Sequence, residues 1–305
     1  MGHTIAEKYR VRGLLGTGGM GSVFEAEEIA NGRLVAIKVL NPAQAQNETA
    51  IKRFHQEAWA AGAIGHPNLC AVFDVGKLSD GSPYLVMERL HGETLQERLE
   101  RERSLPVQEV VDVVRQVLAG LGAAHKRGVL HRDIKPENVF LAEQAGFARQ
   151  AKLLDFGVSK ILDDPATAEW SDQVAVTQTG IVMGTPYYLS PEQAQAARDL
   201  DARADLYACG VLLYEALTGE RPFDASHYDA LLFRILHGNP TPPSKLRASI
   251  SPELERVILK AMAKDRRDRY PTAAELSLAL QAATSPPGAP VGDPPPDTTV
   301  DPLPR

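Results

Sequence analysis

Apolar and polar positions along this chain follow two regimes, strand-like at the start and helical afterwards. Residues 9–15 and 22–27 carry a strand pattern and flank the glycine-rich stretch 16–21. Asn31-Gly32 has the chemistry of a hairpin turn, and it leads into Leu34-Val35-Ala36-Ile37-Lys38, an apolar strand that ends on a lysine. Residues 48–63 then place Ile51, Phe54, Ala58 and Ala61 on one helical face, and residues 67–75 and 83–88 read as two further strands.

Beyond these the period is helical. Val107, Val110, Val111, Val114, Val117, Leu118 and Leu121 recur along residues 106–125, and Lys126-Arg127-Gly128 closes the run with basic and glycine stop signals. Residues 205–217 are apolar nearly all round, which predicts a helix buried on every side and ended by Gly219. Ser190-Pro191-Glu192-Gln193 predicts a capped helix start, as do Ser251-Pro252 and the pair Thr272 and Glu275. Residues 284–305 are too rich in proline to build a core and predict extended, disordered chain.

Composition changes the picture little. With 305 residues, 44% of them hydrophobic and 24% charged, the chain is an ordinary globular one with enough apolar side chains for a sizeable core. A net charge of −6 lacks the basic excess that nucleic acid as a partner would require. Cys70 and Cys209 sit in apolar surroundings without a CxxC or zinc spacing, and read as buried thiols in a reducing compartment. Residues 1–11 carry charge and no apolar stretch of the kind a signal peptide needs, and Ala6 stands where a myristoylation motif at Gly2 wants Ser or Thr. No apolar run approaches the ~18 residues of a membrane span, so the expectation is a soluble, cytoplasmic chain.

The candidate chemistry lies in three places. Gly16-Thr17-Gly18-Gly19-Met20-Gly21 lets backbone amides close over phosphates without side chains in the way. A GxGxxG stretch in a dinucleotide fold must lead from a strand into a helix, whereas here a second strand with Val23 and Phe24 follows directly; a glycine hairpin with no ligand is the bland alternative. Lys38, at the end of an apolar strand, needs an anionic partner to offset its desolvation. Most informative is His131-Arg132-Asp133-Ile134-Lys135-Pro136-Glu137-Asn138, followed by Asp155-Phe156-Gly157. Phosphoryl transfer asks for metal ligands, matched charge and a group oriented on the attacking hydroxyl. Asp133 suits the hydroxyl, Asn138 and Asp155 suit magnesium, and Lys135 can face the transferring phosphate.

These motifs and their order resemble the eukaryotic-like protein kinases, and the resemblance covers residues 9–283. It implies an α+β, bilobal fold with a small β-rich N-lobe at 9–88 and a larger helical C-lobe at 91–283. It implies ATP with Mg²⁺, or Mn²⁺ in its place, as the cofactors. Lys38 would hold the α- and β-phosphates, braced by Glu57. Leu15, Gly16, Gly18, Gly21, Val23 and Ala36 would cover the nucleotide, Met87 would stand behind the adenine, Glu88 to Leu90 would form the hinge, and Phe140 would pack from below. His131 reads as a core residue bracing the loop rather than a general base. Arg132, Phe156, Gly157 and Asp205 would be structural, Asp205 bracing the catalytic-loop backbone. Glu192 would pair with Arg269, with Arg267 as the alternative.

Lys135 and Thr185 both point to protein Ser/Thr hydroxyls as the substrate, because that lysine and a threonine able to bond Asp133 and Lys135 mark the Ser/Thr class of the family. Thr177 and Thr179 resemble the autophosphorylated pair of bacterial members; phosphate there would draw Arg132, Lys160 or Arg53 toward it, and Arg53 would thereby position Glu57. A homodimer through the small lobe is implied by the resemblance alone. Two other readings stay open: a nucleotide-binding scaffold without catalysis, whose usual sign is a missing catalytic lysine, Asp or metal ligand, and a small-molecule kinase of similar fold.

Overall fold

The computed structural model describes residues 4–18, 21–41, 64–143, 149–155, 175–176, 182–183, 186–197 and 199–285. Strands β1 (Thr4–Ile5), β2 (Tyr9–Thr17), β3 (Gly21–Glu28), β4 (Leu34–Leu40), β5 (Val72–Lys77) and β6 (Pro83–Glu88) form one sheet in the order β1-β2-β3-β4-β6-β5. All its pairings are antiparallel. The β2–β3 register slips twice, between Val11 and Gly13 and between Leu14 and Gly16, and such irregularities increase local twist. Ile5, Tyr9, Ala26, Val35, Ile37, Tyr84 and Val86 close a small apolar core on one face.

Two features depart from the periodicity reading. Strand β1 pairs Thr4 with Arg10 and Ile5 with Tyr9, and is too short to carry a period. Residues 67–75 are not one strand, for β5 begins only at Val72. Ahead of it the Leu69 N–H turns back to the His66 carbonyl at 3.0 Å, and Leu69 bridges to Leu153. The Asn68 side chain donates to the Ala151 carbonyl at 2.8 Å and to Gln116 at 3.3 Å. A buried amide with partners in the second part of the molecule takes the chain there before it returns to the sheet. The helix expected over 48–63 and the tail from 286 onward lie outside the described residues.

The second part begins with β7 (Gly92–Thr94), α1 (Leu95–Glu102), α2 (Val107–His125), β8 (Val139–Ala142) and β9 (Gln150–Leu153). Strands β7, β8 and β9 form a three-stranded antiparallel sheet. Next come the paired β10 (Ala175–Val176) and β11 (Val182–Met183), then α3 (Pro191–Ala194), α4 (Arg203–Thr218), α5 (Tyr228–His237), α6 (Pro243–Leu246), α7 (Pro252–Ala261) and α8 (Ala273–Thr284). Helix α1 was not anticipated although its start is encoded, since Thr94 and Glu97 make a full capping box and Leu95 and Leu99 are buried.

Helix α4 is the axis of this part. Every residue from Ala204 to Tyr214 is buried, and each fully buried leucine there contributes about 1.5–3 kcal/mol. Gly210 lets α7 approach it closely, because a Cβ there would meet Met262 Cγ at 2.8 Å and Ala261 Cβ at 3.0 Å. Cys70 and Cys209 are both buried and free. Among the described residues no helix is long and apolar enough to cross a membrane. The architecture is α+β, a curled β-sheet part followed by a helical one.

Candidate active site

The loop between α2 and β8 is held from beneath by one buried carboxylate. Asp205, in the first turn of α4, accepts the backbone N–H of His131 at 2.9 Å and of Arg132 at 2.7 Å, and His125 Nε2 lies 2.8 Å from it. Burial pushes the Asp205 carboxyl up, but the hydrogen bond and charge of His125, with His131 beside it, outweigh burial and leave it below the usual carboxylate range. Arg132 takes a positive φ of 64°, and its carbonyl accepts Gln193 Nε2 at 3.1 Å. Gln193 also closes the capping box with Ser190 that starts α3.

His131 is fully buried. Its Nε2 meets the Leu154 carbonyl at 3.0 Å, and its Nδ1 lies 3.4 Å from the Asp133 N–H. One nitrogen faces an acceptor and the other a donor, which fits neutral imidazole. Burial lowers its pKa, in agreement. Sealed in this way, the ring holds the loop against the strand end that leads to Asp155.

Among the described residues, two side-chain donors reach the Asp133 carboxylate. Asn138 Nδ2 donates to Asp133 Oδ2 at 2.9 Å and to the Asp133 carbonyl at 2.8 Å, and Lys135 Nζ lies 2.8 Å from Oδ2. With its NH₂ spent on Asp133, Asn138 keeps its amide oxygen as an acceptor. The 3-10 turn Pro136–Asn138 carries this amide, and the Leu154 N–H bonds the Asn138 carbonyl at 2.9 Å. Asp155 follows with a φ of 40°, a left-handed conformation costing a non-glycine residue about 1–3 kcal/mol.

Asp155 reaches the upper sheet. Lys38 Nζ lies 2.9 Å from Asp155 Oδ1, and the Lys38 side chain is only 10% exposed. In the β ladders Lys38 stands opposite Val23 and Leu85, and Ala36 opposite Glu25 and Met87. Directly opposed residues share a face, so Val23, Glu25, Ala36 and Met87 line the face from which Lys38 enters the cleft. In the glycine-rich stretch, the Gly18 N–H bonds the Gly21 carbonyl at 2.8 Å, and the reverse bond is 3.3 Å. Leu15 is exposed, and Phe140 lies half-buried on β8 opposite Thr94 and Lys152.

The segment joining the two parts is fastened by its side chains. Glu88 Oε1 accepts the Ala71 N–H and Lys152 Nζ, both at 2.7 Å, and the Glu88 N–H bonds the Ala71 carbonyl at 2.9 Å. Arg89 donates to the Leu90 carbonyl and, from Nε, to Glu25 at 2.7 Å. Neither ion pair was anticipated. Their partners lie 64 positions apart, beyond any local pattern.

Below the catalytic loop, Arg269 grips Glu192 at 2.6 and 2.7 Å and donates to the carbonyls of Ala263, Arg203 and Lys264. Arg267 pairs instead with Asp265 at the surface. Glu57, Arg53, Phe156, Gly157, Lys160, Thr177, Thr179 and Thr185 lie outside the described residues.

A curled sheet over a helical part, with Lys38 reaching Asp155 and Asp133 held by Asn138 and Lys135, is the arrangement of a protein kinase domain. The sequence model of that family, described as "Protein kinase domain", matches residues 9–279, and the chain belongs to the family. It is 42% identical over 284 residues to the serine/threonine-protein kinase pkn3 of Myxococcus xanthus, covering 92% of this chain and 51% of that protein. It is 37% identical over 291 residues to the serine/threonine-protein kinase PknB of Mycobacterium leprae, covering 94% of this chain and 45% of that one. The chain thus spans about half the length of the curated relatives it matches. Among solved structures, the PknI kinase domain of Mycobacterium tuberculosis superposes with a TM-score of 0.71 at 28% identity, over 92% of this chain and 98% of that one.

Proposed function

We propose that this chain is the catalytic part of a protein serine/threonine kinase that moves the γ-phosphoryl group of ATP to a Ser or Thr hydroxyl. The observation that carries the reading is Asp133, whose carboxylate is aimed by Asn138 and Lys135 while Lys38 and Asp155 meet across the cleft. The transition state is loose and its charge is spread over oxygens, so positioning and charge matter more than covalent help. Asp133 orients the substrate hydroxyl and takes its proton as transfer proceeds. Lys38 holds the α- and β-phosphates, with Glu57 as its brace once nucleotide draws it from Asp155. Lys135 offsets charge at the transferring group.

Asp155 and the amide oxygen of Asn138 are the residues that would hold Mg²⁺. Among the described residues no cluster of three or more His, Cys, Asp or Glu could hold a metal ion. That donor set fits magnesium, which binds through one or two carboxylates with phosphates and water completing its shell; Mn²⁺ would take the same oxygens. When bound, the metal would neutralise charge on the β- and γ-phosphates. At the hinge, the Glu88 N–H and the Leu90 carbonyl are engaged within the protein. The backbone of Glu88 to Leu90 would meet the adenine edge, as resemblance to the family implies.

The names of the relatives support Ser/Thr proteins as substrates, and Lys135 agrees. Autophosphorylation of Thr177 and Thr179, a homodimer through the small lobe and a cytoplasmic setting belong to the same reading and rest on resemblance.

Incubation of the purified protein with ATP and Mg²⁺, with Asp133→Asn as control and phosphosites mapped by mass spectrometry, tests it. Phosphate on Thr177 or Thr179 is expected in the wild type, and a loss of about 10²–10⁴-fold in rate in the variant with ATP binding kept. Transfer at the full rate by Asp133→Asn would sink the assignment. A folded, dephosphorylated wild type that binds ATP and labels nothing would favour the scaffold reading.

A further inference from the structure

We propose that Glu25 and Arg89 form a clasp between the strand over the nucleotide and the hinge, and that this clasp positions the roof of the cleft and so sets ATP affinity. The inference rests on the kinase reading above and adds to it two positioning residues. Arg89 donates from Nε to Glu25 Oε1 at 2.7 Å and from Nη1 to the carbonyl of its neighbour Leu90. A guanidinium is a rigid planar fork, so two bonds in different directions hold it in one orientation. The pair is partly shielded, with the Arg89 side chain 20% and the Glu25 side chain 28% exposed. That sets it apart from the freely exposed pairs that contribute nothing measurable.

Its place gives it leverage. Glu25 stands two residues after Val23 on β3, and strand alternation puts both on the face from which Lys38 reaches Asp155. On one side the backbone at Glu25 is held by the regular ladder to Ala36. On the other it faces Gly13, and the β2 register slips immediately before Gly13 and again after Leu14. Leu14 and Leu15 are themselves exposed and lend little packing. The roof is therefore supported unevenly where it overhangs the hinge, and the clasp adds the missing restraint.

The preceding hinge residue is fastened the other way. Glu88 binds Lys152 of β9 and the Ala71 N–H, both at 2.7 Å. Consecutive residues thus tie the hinge to the floor and to the roof, and loosening Arg89 frees the roof alone. A roof ordered before nucleotide arrives spares ATP the entropy of ordering it. The clasp should therefore act on binding and leave the phosphoryl step largely alone.

The test is titration of ATP with Mg²⁺ into wild type, Glu25→Ala, Arg89→Ala and the double variant, with KM and kcat measured on a protein substrate. Each single change should weaken ATP about five-fold in Kd and KM, with kcat moving less than about two-fold. The double variant should bind no more weakly than the weaker single, because both remove the same pair. Glu25→Gln, which keeps the side chain's shape and hence the fold, should weaken binding in the same direction. Wild-type Kd values in the single variants, or additive losses in the double, would overturn the clasp. A wild type that binds ATP but transfers no phosphate would sink the kinase reading instead, and Kd would still report on the clasp.

Discussion

Arg269 and Glu192, 77 positions apart in the chain, meet in a two-pronged ion pair that closes the base of the helical part. The guanidinium has no exposed side-chain surface and spends its remaining donors on three backbone carbonyls. Removing one partner of such a pair leaves the other charge buried and uncompensated, which costs about 3–5 kcal/mol. Glu192→Ala is therefore expected to lower unfolding free energy by that amount in a denaturant titration. Arg269→Lys should lose most of it too, since an ammonium cannot form the fork. A cost under about 1 kcal/mol for Glu192→Ala would show that the pair is replaceable.

Acid should weaken the fold in two steps. Burial holds the His131 imidazole below its ordinary 6.5, and the histidine contacts of Asp205, prevailing over its burial, hold that carboxyl below 3.8. Both groups bind protons less readily folded than unfolded, so stability is full above the unfolded values and falls as pH drops through them. The first loss belongs to His131 and begins below about 6.5; the second belongs to Asp205 and begins below about 3.8. One proton accounts for at most about 1.4 kcal/mol per pH unit. Denaturant titrations between pH 7 and 5 should give a shallower slope for His131→Phe than for wild type. If the two slopes superimpose, His131 is not a neutral buried ring.

What could be read in the sequence was what lies close along the chain. Asp133, Lys135 and Asn138 sit within one loop and one 3-10 turn, so their meeting follows from spacing. Lys38 announced itself as a cation at the end of an apolar strand, but its contact with Asp155 is tertiary. The contact between Asp205 and the catalytic loop spans 73 or 74 positions and was accessible only through family resemblance. Glu25–Arg89 joins a strand to the hinge and Glu88–Lys152 joins two strands, and no periodicity singles these charges out from the others. Residues 67–75 misled because Leu69, Val72, Phe73 and Val75 look like a strand, while the side chain that diverts the chain, Asn68, finds partners on α2 and β9.

Tyr207 is where the packing around α4 leaves a polar atom without a partner among the described residues. Its ring lies under the Arg269 guanidinium, with 4.9 Å from the guanidinium carbon to the ring centroid. Its hydroxyl is buried with no hydrogen-bond partner among the described residues. An orphaned hydroxyl costs stability that a phenyl ring in the same place does not. Tyr207→Phe should keep the ring contact and raise stability by about 1 kcal/mol. Calorimetry on the two proteins checks this, and a loss of similar size would mean that the hydroxyl is satisfied after all.

The glycines of the 16–21 stretch should separate into two kinds. A Cβ on Gly21 would stand 2.2 Å from the Val39 carbonyl oxygen, so any side chain there must push β3 away from β4. Around Gly16 there is nothing within 4 Å, and at Gly18 the nearest atom is 3.9 Å away. Gly21→Ala is therefore a packing mutation, expected to cost about 1–3 kcal/mol of stability whether or not ATP is present. Gly18→Ala should leave stability within about 0.5 kcal/mol. If phosphates approach that backbone, its added methyl should weaken ATP about ten-fold, equivalent to about 1.4 kcal/mol. Thermal melts with and without ATP and Mg²⁺ separate the two, since only Gly21→Ala should melt lower without nucleotide and only Gly18→Ala should show a smaller ATP-induced rise while keeping the wild-type melting point without nucleotide. An unimpaired ATP-induced rise in Gly18→Ala would mean that the open space above Gly18 is not where phosphate lies.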